Sequence, residues 1–368
     1  MKILFVVDQL QDLVSDPLYI GLVRLLGQEQ VVDFPSKDIF HKPESKRWFL
    51  PQVPDLGYSE ANICDLLRGK AFDLVCAASH RSECLANLER LRQAGPLPPI
   101  VYIDGADDSR IRHEVVERFQ VAVYFKREYR WTATSKPGRF VDCARAFRFN
   151  RRLFERTYPL TMCVVPDVIP QHRGCTKDID VSFYGNASHR KRAQAMALLE
   201  PLAHEGLTVA GGIYAAATDK AYKLEATALK RLISKVRDPS TVSEVIQRRK
   251  LSPEDYYRTL ARSKVAVSIR GGGFDTFRYW EIVASGTFLL SEEPDIVIPH
   301  NYEHRKHAVF CRPDLSDLQE LVRYYASHDA EREAIARAGH DHLLKFHACE
   351  PRAAQFLEIC QKAPQCAL

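Results

Sequence analysis

The sequence predicts an α/β protein built as two doubly wound domains in tandem, and three observations carry that expectation. Short apolar runs rich in β-branched residues alternate with amphipathic stretches along most of the chain. Both periodicities break near the middle, and 368 residues exceed what one core usually organises. Strand and helix in alternation give a parallel sheet covered by helices on both faces.

The first series of strands is expected at Ile3–Val7, Val31–Phe34, Leu74–Ala78, Ile100–Ile103 and Val121–Phe125, with helical periodicity around 16–28, 59–68, 81–94 and 109–119. Pro166-Asp167-Val168-Ile169-Pro170 and the polar stretch Gln171 to Asp178 fit neither period, so a linker is placed at about 165–178. The second series runs through Val181–Tyr184, Leu207–Ala210, Val265–Ile269, Phe288–Leu290 and Val309–Cys311. Two long helices follow, near Glu331 to Lys345 and Pro351 to Gln361. The expected domains are therefore 1–165 and 178–350, with 351–368 a final helix returning to the first. Thr218 to Lys250 is long, basic and helical in pattern, and reads as an insertion with a solvated face or a clamp for an acidic acceptor.

Composition narrows the class of function. The chain is 46% hydrophobic and 27% charged, the balance of a soluble globular protein. The apolar start Ile3–Val7 stops at Asp8, too short for a signal peptide or a membrane span. Ten cysteines are scattered without a C-x-x-C pair or metal-ligand spacing, so reduced thiols, a cytoplasmic location and no metal site are expected. A net charge of +5 does not call for a nucleic-acid partner.

The richest segment is Ile269-Arg270-Gly271-Gly272-Gly273-Phe274-Asp275-Thr276-Phe277-Arg278-Tyr279-Trp280-Glu281. A strand ending in glycines, then a helix carrying Arg278 and Glu281 about one turn apart, brings main-chain N–H groups, a cation and a carboxylate to one strand end. Such a place suits a phosphorylated sugar carrier. Arg278 could hold phosphate oxygens in a bidentate pair as their charge grows, or simply pair with Glu281 or Asp275. Arg270, Gly272 and Gly273 would add a second cation and close backbone approach.

Tyr184-Gly185-Asn186-Ala187-Ser188-His189-Arg190-Lys191-Arg192 repeats that pattern at the first strand of the second domain. Gly185 and Asn186 would admit a pyrophosphate and Arg190 or Arg192 would hold it, unless those bases only face solvent. Gly211 and Gly212 form a further pair, expected near the nucleobase. In the first domain Asp104, His80 and Asp8 each follow an expected strand and could serve as a base, or as caps and turn residues. Asp104 is the first choice, because partial burial would lift a carboxylate into a useful range. The basic and aromatic tract His41 to Leu50 suits an acceptor loop.

Three motifs together, Val181–Asn186, Arg278–Gly286 and Glu331–Gly339, resemble the glycosyltransferase-like proteins of the spore-maturation CgeB type, and through them the GT-B glycosyltransferases. The resemblance covers about 178–360. It implies two facing Rossmann-like domains, a nucleotide diphosphate sugar held mainly by the second, a hydroxyl acceptor held mainly by the first, no obligatory metal or other cofactor, and a final helix crossing back. It also makes Glu281 the ligand of the nucleotide ribose. Many retaining members carry two glutamates eight positions apart; here Gly273 stands eight before Glu281, with Asp275 the nearest acid, so the anomeric outcome stays open. A nucleotide-sugar epimerase and a non-catalytic nucleotide- or glycan-binding protein remain the alternatives.

Overall fold

The computed structural model describes residues 1–45, 47, 49–130, 156–172, 174–214, 246–247 and 251–363. In chain order the elements are β1 (Ile3–Val6), α1 (Ser15–Leu26), β2 (Val31–Phe34), α2 (Asp38–His41), α3 (Glu60–Arg68), β3 (Leu74–Ala77), α4 (Ser82–Ala94), β4 (Ile100–Asp104), α5 (His113–Phe119), β5 (Val123–Lys126) and β6 (Thr157–Pro159). There follow β7 (Ile179–Asn186), α6 (Arg190–Leu199), β8 (Val209–Tyr214), β9 (Ile246–Gln247), α7 (Pro253–Arg262), β10 (Ser263–Ser268), α8 (Phe277–Ala284), β11 (Phe288–Glu292) and β12 (Val309–Cys311). The helices α9 (Leu318–Ser327), α10 (Asp329–Phe346) and α11 (Cys349–Lys362) close the chain. It divides into two compact units: Met1–Val168 with Asp295–His300 and the chain from Lys345 on, and Ile169–Pro294 with Asn301–Leu344.

Unit 1 is a six-stranded sheet in the order β2-β1-β3-β4-β5-β6, every pair parallel. Its strands read as unbroken apolar runs because helices cover both faces: β1, β3 and β4 are buried at every position. Burying one such Leu, Ile or Val side chain stabilises by about 1.5–3 kcal/mol. Helix α3 starts at a capping box in which Ser59 and Asn62 satisfy each other's backbone N–H groups. Helix α11 packs on α1 so closely that a Cβ on Gly21 would lie 2.1 Å from the carbonyl oxygen of Cys349, which only glycine permits.

Unit 2 holds a second parallel sheet, β12-β11-β10-β7-β8-β9, over its own apolar core. Helix α7 starts at Ser252, whose hydroxyl accepts from the Asp255 N–H, with Pro253 at the first helical position. The ten strands read from the sequence are all present; β6 and β9, of three and two residues, are additions too short to show a period. The basic stretch 218–250 lies outside the described residues except for 246–247, which pair with β8 as strand rather than helix.

Connectivity locates the productive edges. In unit 1 the strand order reverses between β1 and β3, and in unit 2 between β7 and β10. Ligands of open parallel sheets sit outside the carboxyl ends of the strands at that reversal. Asp8 and His80 follow β1 and β3, while Gly185, Arg192 and Arg270 stand around the ends of β7 and β10.

Candidate active site

In unit 2 the two strand ends are tied together by Arg192. Its Nε donates to the carbonyls of Ile269 (3.2 Å) and Arg270 (3.0 Å), and its Nη1 to that of Asn186 (3.0 Å), across the reversal. The guanidinium expected to grip a pyrophosphate is thus largely spent on backbone, and the residue is buried. Gly271 is needed for this clamp, since a Cβ there would come within 2.9 Å of Arg192 Nη2. The Gly271 N–H donates to the Gly273 carbonyl (3.0 Å), and Arg270 closes the turn through the Gly272 carbonyl (3.1 Å). Arg270 also lies over the Phe274 ring, 4.0 Å from its centroid.

Arg278 takes the opposite posture. It is the second residue of α8, and its Nη2 and Nη1 lie 3.2 and 3.4 Å from where a Cβ on Gly185 would stand. Nε and Nη1 are sealed from solvent without a hydrogen-bond partner. The ion pair with Glu281 or Asp275 that the sequence allowed is absent among the described residues. Arg278 also reaches Tyr256 and lies 5.7 Å from the Phe183 ring centroid, but a guanidinium with two unsatisfied nitrogens at the end of β7, with glycine keeping the approach open, is costly unless an anion completes it.

The surrounding field favours that anion. His189 caps α6, its Nδ1 accepting from the Lys191 N–H at 3.2 Å. Its pKa is pushed down to about 4, first by burial and then by the charges of Arg270, Lys191, Arg190 and Arg192. Since the folded value lies below the ordinary 6.5, the unfolded chain binds more protons between pH 6.5 and 4, and stability falls as pH drops through that window. A diphosphate placed among the same cations opposes their field. Followed by NMR, the His189 titration should therefore move up from about 4 when inorganic pyrophosphate is added; a midpoint indifferent to pyrophosphate would remove the anion from this strand end.

Glu292, which the sequence reading missed, is buried at the end of β11. Its Oε1 accepts from the Arg270 N–H (2.7 Å) and its Oε2 from Lys191 Nζ (2.6 Å). An acid closing an expected strand was the only available signal. Glu281 is the fifth residue of α8, at the start of its second turn, because the helix begins at Phe277. It is only 6% exposed, and Oε1 accepts from the Tyr257 hydroxyl at 2.8 Å. Asp275 is buried and accepts from the Trp280 indole N–H at 2.7 Å, which reads as anchoring α8 rather than touching a donor. Gly211 is also corrected: it lies inside β8, not at a strand end, and makes room for Met196 Sδ and the Phe183 carbonyl, each 2.8 Å from a Cβ placed there. Arg190 and Asn186 are exposed beside the Arg192 clamp.

In unit 1 the three proposed bases separate sharply. Asp104 has no exposure and is saturated: Oδ2 meets the Arg112 guanidinium, Tyr124 Oη (2.5 Å) and Lys126 Nζ (2.9 Å), while Oδ1 accepts from the Ala106 N–H (3.1 Å). A carboxylate with every face committed has no lone pair for an acceptor hydroxyl, so the first-choice base becomes the hub of a buried charge network. Asp8 is likewise buried and engaged, by Arg81 Nη1 at 3.2 Å and the Leu10 N–H at 2.9 Å. His80 remains. It is half-buried, Nδ1 is sealed without a hydrogen-bond partner, and burial pushes its pKa below 6.5, so the ring is neutral at pH 7. Arg112 comes from the start of α5 and Tyr124 and Lys126 from β5, which is why no local pattern revealed how Asp104 is held. In the proposed acceptor tract His41 is turned inward onto Asp33 (3.0 Å) and the Val53 carbonyl.

Comparison with known proteins agrees with this architecture. Residues 191–358 match the family model described as glycosyl transferase-like. No curated protein matches the sequence significantly. Among solved structures, a glycosyltransferase from Rickettsia africae superposes with a TM-score of 0.62 at 10% identity, covering 98% of each chain. HepE of Anabaena, in complex with UDP and glucose, gives 0.60 at 11% identity over 97% of this chain and 98% of its own. AviGT4, a glycosyltransferase of avilamycin A biosynthesis, gives 0.56 at 14% identity over 99% and 98%. The fold is that of the GT-B glycosyltransferases, two Rossmann-like domains.

Proposed function

We propose that this chain, which has the GT-B fold, is a glycosyltransferase that moves a sugar from a nucleotide diphosphate sugar to a hydroxyl acceptor, using its own cations rather than a resident metal to receive the leaving diphosphate. The observation that carries the reading is the pair of sealed, unbonded Arg278 nitrogens against Gly185, at the strand reversal of unit 2. Cleaving the bond between sugar and carrier leaves charge on the terminal phosphate. A preorganised guanidinium in a partly dry site stabilises that charge more in the transition state than in the bound donor. Arg270, Lys191 and Arg190 add to the field that already holds His189 neutral.

Glu281, aimed by Tyr257, takes the ribose hydroxyls in this proposal, and His80 of unit 1 takes the acceptor proton. UDP sugars are the first donors to test, because HepE was crystallised with UDP-glucose. UDP binding to the native state should raise the midpoint of thermal unfolding, and transfer to a panel of hydroxyl acceptors should follow. Donor turnover with no acceptor consumed would indicate an isomerising enzyme, and binding without turnover a non-catalytic protein. Glu281→Gln removes the charge from a hydrogen bond worth about 1.5–3 kcal/mol, so UDP affinity should drop about 10- to 100-fold. The variant should also discriminate less between UDP and its 2′,3′-dideoxy analogue than wild type does. Undiminished discrimination would place the ribose elsewhere.

A further inference from the structure

Unit 2 contains a cavity of about 330 Å³ that the transfer reaction does not use. It is lined by the segment that leads into β7 (His172, Lys177), by the turn between α8 and β11 (Ser285, Gly286) and by α10 (Arg337, Asp341). These residues precede their strands: Lys177 comes before Ile179, and Gly286 before Phe288. The cavity therefore opens at the amino ends of the parallel sheet, while Gly185 and Arg270 stand at its carboxyl ends. A strand of six residues spans about 20 Å, so this is a second place and not an extension of the donor site.

Its nitrogen groups lack counterparts. Half-buried Lys177 and exposed Arg337 face no paired acid among the described residues, and His172 Nε2 is sealed from solvent without a partner. Asp341 stands one helical turn after Arg337 yet does not pair with it. The fixed charges of the lining are thus two cations against one acid. Arg332 adds a further positive field nearby, with its own guanidinium committed to the Tyr325 carbonyl (2.9 Å) and Asp329 (2.5 Å). Burial, then the Arg332 charge, lower the Lys177 pKa to about 8, against weaker opposition from Cys175 and Glu333. At about 30 Å³ per water the cavity could hold roughly ten waters, or a ligand of similar bulk.

We infer that this cavity is a binding site for a small phosphate-bearing compound, held by Lys177, Arg337 and His172, with Asp341 positioned to accept from a ligand hydroxyl. A doubly charged phosphate supplies the counter-charge that the lining lacks, and guanidinium and ammonium donors match its oxygens. The proposal is independent of the donor reading, since it shares no residue with that site.

Selective acylation of lysines, read by mass spectrometry, tests it on the intact protein. A bound anion raises the pKa of a neighbouring amine by about one unit or more, which lowers the reactive fraction about tenfold. Inorganic phosphate should therefore slow labelling of Lys177 about tenfold relative to chloride of equal ionic strength. Arg337→Met should abolish the protection while Lys177 still labels at the unprotected rate, and Arg278→Ala should leave the protection intact. Equal labelling with and without phosphate would overturn the inference. So would protection that survives Arg337→Met, or protection given by UDP but not by phosphate.

Discussion

Arg278→Ala should lower the rate of sugar transfer about 10²- to 10³-fold, the cost of removing one preorganised donor to a developing oxyanion. It should leave the thermal midpoint of the unliganded protein unchanged or raise it. The second half of the result decides the first. A side chain holding the fold together would cost stability when truncated, whereas Arg278 has two nitrogens sealed from solvent and unbonded, a cost that offsets what its contacts with the Phe183 ring and Tyr256 contribute. The penalty is recovered when phosphate oxygens enter. UDP, which at a hundredfold excess over its dissociation constant adds about 2.7 kcal/mol to a protein that binds it, should stabilise wild type and much less so the variant. If the midpoint collapses in the absence of ligand, Arg278 is structural and the assignment fails. If kcat falls while donor affinity is kept, the guanidinium acts on the leaving group alone.

What the sequence made legible follows from how local each signal is. Strands buried on both faces have to be nearly continuous apolar runs, so Ile3–Val7, Ile100–Ile103 and Val265–Ile269 stood out, and their order in an α/β alternation implied parallel sheets. The strand-end cluster of unit 2 was legible for a related reason: a glycine at a strand end followed by a cation is a local pattern, and Gly185, Arg270 and Arg278 all lie at the strand reversal. Local patterns do not say where a side chain points. Arg192 and Arg278 are both arginines near such a strand end, yet one is committed to three carbonyls and the other keeps two unbonded nitrogens. The difference arises from a contact 77 residues apart in sequence. Asp104 failed as a base for the same reason, since its partners Arg112, Tyr124 and Lys126 arrive from later elements.

With Asp104 and Asp8 committed, the proposed base in unit 1 is His80, and His80→Gln should lower kcat by about 10²- to 10⁴-fold, the usual contribution of a general base. Glutamine keeps the size and a hydrogen-bonding end but cannot take a proton. The pH profile gives a sharper reading than the rate alone. Burial is the main cause of the lowered His80 pKa; the charge of Asp104 opposes it, and that of Arg112 reinforces it. The neutral, base-competent ring therefore persists below pH 6.5, and the acid limb of kcat/KM for wild type should fall below that value, then vanish in His80→Gln. Arg112→Met removes a positive charge that lowers the His80 pKa, so the limb should move toward higher pH; because Arg112 also holds the buried Asp104, thermal unfolding must be checked alongside. An acid limb that stays in place in His80→Gln, with kcat near wild type, would mean that the acceptor proton leaves without a base from this strand end. The anomeric configuration of the product would then be the next quantity to measure, because retention of configuration does not require such a base.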